Sequence, residues 1–121
     1  MTDTATPPYS ALSETLAFLG YSRIVSHTLA FLVTSKEPMK SHEIEAGTGL
    51  RQPEVSTATR ELLEKGWITK TPVKKEGKGR TPSEYRLAKS FAAIIDEIDD
   101  AKRAEMEKQY NAIQALRAFA L

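Results

Sequence analysis

At 121 residues the chain is long enough for one domain and too short for two ordinary ones. It contains no cysteine, which excludes disulfides, thiolate metal sites, cysteine nucleophiles and thiol redox sensing. The formal net charge is only +1, but the charge is unevenly spread: residues 65–89 hold eight basic and two acidic side chains, residues 91–121 four basic and six acidic ones. Such a local basic stretch suits a polyanionic partner, or else a solvated lysine-rich loop.

Residues 1–10 carry Pro7 and Pro8 among small polar residues and have neither the basic start nor the apolar run of a signal peptide. A flexible tail is therefore expected over residues 1–12, in a cytoplasmic protein. Leu12, Leu16 and Leu19 have helical spacing ahead of Gly20, which is expected to break or bend the segment. Ile24, Val25, Leu29, Leu32 and Val33 continue a three-to-four repeat. Pro38 ends it, because the residue before a proline is pushed out of the helical region.

Ser41 is a good N-cap for a short helix running to about Ala46. Gly47-Thr48-Gly49 then permits a sharp turn, and Leu50 plugs the core behind it. The next helix opens on Pro53, whose missing N–H costs nothing in a first turn, and stops at Gly66. Val55, Ala58, Thr59, Leu62 and Leu63 make its inward face. Residues 67–71 are rich in β-formers, and residues 83–87 alternate polar and apolar. Between them, residues 72–82 hold the glycines and prolines of a hairpin tip. Residues 90–121 read as one helix of about 30 residues, roughly 45 Å long.

This order (helices, turn, helix, hairpin, long helix) is that of a mainly helical winged helix-turn-helix with a β-hairpin wing and a C-terminal dimerisation helix. The domain is expected over residues 13–88 and the dimerisation helix over residues 89–121. The run IEAGTGLRQPEVSTATRELLEKGWI, residues 44–68, resembles the helix-turn-helix core of the MarR, ArsR and TrmB-like transcriptional regulators. Thr48-Gly49-Leu50, Gln52-Pro53, Val55-Ser56, Leu62 and Gly66-Trp67-Ile68 fall in that register. GKGRTPSEYRL, residues 77–87, is similar to the wing of the same families. The resemblance spans residues 22–88 and is closest to small archaeal members. It implies a double-stranded DNA-binding regulator acting as a homodimer.

The residues point the same way. With Val55, Thr59 and Leu62 facing inward, Gln52, Glu54, Ser56, Thr57 and Arg60 face outward. Gln52, Ser56, Thr57 and Arg60 are expected to read bases, since glutamine suits adenine and arginine suits guanine in a major groove. Arg51 is placed for a phosphate, helped by free N–H groups at the helix start. Lys74, Lys75, Lys78 and Arg80 lie around the wing tip, for phosphates or the minor groove. Glu54 has no place in this scheme. Trp67 and Tyr85 are expected in the core rather than stacked on bases.

Phe91, Ile94, Ile98, Met106, Ile113 and Leu116 belong to an apolar stripe that one small domain cannot cover, and they are expected at a two-fold dimer interface. A small-molecule effector, if one is bound, is expected near Phe18, Tyr21 and Phe91. His42, Glu43 and Glu45 do not converge as metal ligands, no cofactor is expected, and no phosphate-binding loop or hydrolase motif indicates an enzyme. The competing reading is a winged helix used as a protein-interaction or assembly module without specific DNA binding; RNA binding is a third.

Overall fold

The computed structural model describes residues 9–73 and 82–120. Its contacts divide the chain into two units, Met1–Ala88 and Lys89–Leu121.

The first unit begins with α1 (Tyr9–Phe18). Residues 9–12 are thus helical and not part of a tail; Tyr9 hydrogen-bonds to Nδ1 of His27, which gives the first turn a tertiary anchor. Gly20, at φ 107°, turns the chain in a conformation closed to other residues. α2 (Arg23–Ser35) follows, its first turn capped by Ser22, whose hydroxyl accepts from the Val25 N–H at 3.2 Å. Lys36, at φ 63°, closes α2 in the left-handed region.

β1 (Met39–Lys40) is a two-residue strand that the sequence pattern does not announce. It leads directly into α3 (Ser41–Thr48). Ser41 is the first helical residue and not the cap; the Lys40 N–H instead donates to the Glu43 carboxylate at 2.7 Å. α3 also runs two residues beyond Ala46, so Gly47 is helical. Its role is space: a Cβ there would lie 2.1 Å from the Phe31 ring. Only Gly49, at φ 80°, makes the turn. Thr48 steadies it by accepting from the Leu50 N–H at 3.1 Å.

α4 (Gln52–Lys65) ends at Gly66, φ 78°, whose N–H satisfies the Leu62 and Leu63 carbonyls. β2 (Ile68–Pro72) and β3 (Ser83–Leu87) pair antiparallel, Ile68 opposite Leu87 and Pro72 opposite Ser83. β1 adds to the free side of β3, Met39 opposite Tyr85, giving the sheet order β1-β3-β2. The Val73 N–H to Pro82 carbonyl bond, 2.8 Å, extends the hairpin by one step. The expected tip residues Lys74, Lys75, Lys78 and Arg80 lie outside the described residues.

α2 packs against α1, α3 and α4, and α3 packs against α4. Leu29, Ile44, Val55 and Leu62 are completely or almost completely buried where these helices meet. Each contributes about 1.5–3 kcal/mol relative to an exposed side chain. Trp67 and Ile68 seal the sheet side of this core, so Trp67 is a packing residue as expected. Tyr85 is half-buried.

The second unit is α5 (Phe91–Arg117), capped by Ser90 through the Ala93 N–H at 3.1 Å and finished by a short 3-10 turn, Ala118–Ala120. Arg103 pairs with Asp99 at 3.0 Å on its surface. Ile94 and Ile98 are buried and Phe91 is half-buried, whereas Met106, Ile113 and Leu116 are 64%, 49% and 65% exposed. Among the described residues no helix is long and apolar enough to cross a membrane, and no cluster of histidines and carboxylates is arranged to hold a metal ion.

Candidate nucleic-acid interface

α4 is sharply two-sided. Val55, Ala58, Thr59 and Leu62 are buried, and the Thr59 hydroxyl satisfies itself on the Val55 carbonyl at 2.9 Å. The opposite face carries Gln52, Ser56 and Arg60, all exposed, with Thr57 half-buried at its edge. Gln52, Ser56 and Arg60 are four residues apart in turn, so they line one side of the helix along just over two turns. Among the described residues none of these four side chains has a hydrogen-bond or ion-pair partner within the chain. Their donors and acceptors are available to a ligand.

Arg51 precedes α4 in an extended conformation, φ −89° and ψ 163°, with its side chain exposed. Its N–H is not free, however. It donates to Oε1 of Glu54 at 2.9 Å, and the other carboxylate oxygen, Oε2, accepts from Nη2 of Arg23 at 2.7 Å. Glu54, without an assignment in the sequence, is thus a lid over the helix start. The Arg51 N–H does most to lower its carboxyl pKa, burial opposes this, and the Arg23 guanidinium and the Arg51 charge lower it further, leaving it below the usual glutamate value. A carboxylate in the first turn also interacts well with the helix dipole. The helix start therefore offers a phosphate the Arg51 guanidinium, and one fewer backbone N–H than expected.

At the far end of α4, Nζ of Lys65 lies 5.5 Å from the Tyr21 ring centre and 5.2 Å from that of Trp67. The two rings pack at 5.9 Å with their planes tilted by 58°. Lys65 is accordingly an aromatic-capped cation rather than a loose member of the basic stretch. Tyr21, expected beside an effector, is committed to this cluster, and Phe18 is exposed.

Arg23 is the residue that sequence reasoning missed. A glutamate at the third helical position is a known signal of an N-terminal cap, but it is normally sought behind a serine or threonine. Its partner, 31 residues upstream, leaves no local signature.

A helix-turn-helix with an exposed polar helix and a paired hairpin is now established by geometry. A family model described as the MarR family matches residues 19–79, from the α1–α2 corner into the hairpin. The chain belongs to the MarR family. It is a winged-helix transcriptional regulator by class, and the MarR assignment selects one of the three related families suggested by the helix-turn-helix register.

Among solved structures, the chain is similar to one described as a transcriptional regulator, with a TM-score of 0.57 and 24% identity over 91% of this chain and 71% of that one. It is also similar to MepR of S. aureus solved in a DNA-binding conformation, with a TM-score of 0.49 and 16% identity over 92% of this chain and 89% of that one. The first of these supports the fold. Comparison with curated proteins finds no match.

Proposed function

We propose that this MarR-family chain binds double-stranded DNA sequence-specifically as a homodimer. α4 lies in the major groove, with Gln52, Ser56, Thr57 and Arg60 at base edges. Arg51 holds a phosphate, and Lys74, Lys75, Lys78 and Arg80 of the wing meet the backbone or minor groove. The observation that carries this reading is the polar face of α4 (Gln52, Ser56, Arg60), unpartnered among the described residues and set opposite a buried face that fixes the helix in the core. Among the described residues none of these three side chains is spent on an ion pair.

Dimerisation is supported by the exposed stripe Met106, Tyr110, Ile113 and Leu116 on α5. These apolar side chains repeat at helical spacing, and a second α5 is the simplest surface to cover them. Phe91, Ile94 and Ile98, also expected there, lie nearer the start of α5. Two copies of α4 then need a separation of about 34–36 Å, or a multiple, to read successive major grooves of a pseudo-palindromic site.

Binding to mixed genomic duplexes, followed by fluorescence anisotropy across a salt series, tests this reading. Affinity is expected to fall steeply with salt, the logarithmic slope giving roughly 0.9 per neutralised phosphate. Absence of binding at low salt would leave the assembly-module reading in its place.

A further inference from the structure

Glu54 lies in the first turn of α4 between the reading residues Gln52 and Ser56, where an unpaired carboxylate would face a phosphate chain. Both of its oxygens are engaged, and by different parts of the fold. Oε1 takes the N–H of Arg51 at 2.9 Å, which closes the start of α4. Oε2 takes the guanidinium of Arg23 at 2.7 Å, the first residue of α2. Three points are tied together: the beginning of α2, the residue before α4 and the first turn of α4. Arg23 is itself fixed at its base, because Ser22 before it caps α2.

We propose that Arg23 is a positioning residue for the reading surface: acting through Glu54, it sets the start of α4 and cancels the negative charge there. The proposal rests on α4 being the DNA-reading helix. The same corner reaches the other end of α4 as well, since Tyr21, two residues before Arg23, stacks beside Trp67 under the Lys65 ammonium. Two attachments, at the first turn and at the last residue, add to the buried face in holding its rotation and its slide along the core. Base reading requires this, because side chains on a binding surface must hold their positions to within about 0.5 Å. Without Arg23, Glu54 keeps its charge but loses its partner. It can then swing off the Arg51 N–H and present an uncompensated carboxylate to DNA.

Two measurements on the full chain test the proposal. The first needs no DNA. The amide shift of Arg51, followed against pH by NMR, reports the titration of the Glu54 carboxylate to which it donates. Its midpoint is expected below the ordinary glutamate value of about 4.3 and should move upward in Arg23→Gln, with an unchanged melting temperature. A midpoint that does not move overturns the proposal.

The second is a double-mutant cycle on a selected duplex. Arg23→Gln is expected to weaken specific binding roughly three- to fivefold, Arg23→Lys to recover part of the loss, and Arg23→Gln placed on Glu54→Gln to cost less than about twofold. A full-sized loss on the Glu54→Gln background, with the salt slope reduced by about one, would mean that Arg23 touches a phosphate directly, and would also overturn the proposal. If the wild-type chain fails to bind any duplex, the functional reading falls and takes the proposal with it. If it binds normally and the Arg51 midpoint stays put, only the proposal falls.

Discussion

Single residues carry most of the chemistry, and two of them give clean tests. The hydroxyl of Thr28 is fully buried and has no hydrogen-bond partner among the described residues. Burying an unpaired hydroxyl is unfavourable, so Thr28→Val, which keeps the shape, is expected to stabilise the chain by about 1 kcal/mol in urea denaturation; a loss of stability would show that the hydroxyl is satisfied. Glu54 has its folded-state pKa depressed, chiefly by the Arg51 N–H. A depressed carboxylate contributes stability above its unfolded value, about 4.3, and loses it as the pH falls through the folded value. Glu54→Gln should therefore flatten the acid limb of the stability profile below about pH 4 and leave pH 7 to 9 parallel to wild type. At this scale the sequence showed which side of α4 faces outward, because the apolar positions are three and four apart. It did not show what Glu54 does, because its partner Arg23 is brought to it by the packing of α2 on α4 and by no local pattern.

Elements were legible wherever a strong start or stop signal stands in the chain. Gly66 ends α4 and Gly20 ends the first helical segment because both take positive φ. α3 was read too short for a physical reason: Gly47 looks like a turn residue, but its small size lets the Phe31 ring lie against the helix. Replacing it with alanine drives a methyl group into that ring, and Gly47→Ala is expected to cost about 1–3 kcal/mol despite alanine's better helix propensity. A Gly47→Ala chain as stable as wild type would instead show that the Phe31 ring moves aside to admit the methyl group. β1 could not be found from sequence, since two residues carry no periodicity and the strand exists only by pairing Met39 and Lys40 with Tyr85 and Glu84 of β3.

The whole molecule combines a winged-helix unit, which has its own buried core, with a long helix that leaves apolar side chains exposed. Its fold class was readable because a single order of elements accommodates the helix-turn-helix spacing, the hairpin and the terminal helix. A homodimer through α5 leads to the expectation that Ile113→Glu with Leu116→Glu gives a monomer by sedimentation, with the circular dichroism of a folded helical protein; a dimer surviving both changes would place the interface elsewhere. Sequence-specific binding requires that the exposed face of α4 read bases. It is tested most directly by selecting bound sequences from a random duplex pool with the wild-type chain and with Arg60→Ala. The expected result is a two-fold-symmetric motif for wild type that loses preference at one position per half-site in the variant, a relaxation worth about 1–3 kcal/mol there, with the rest of the motif kept. An identical motif from both chains, or no motif from either, would contradict it.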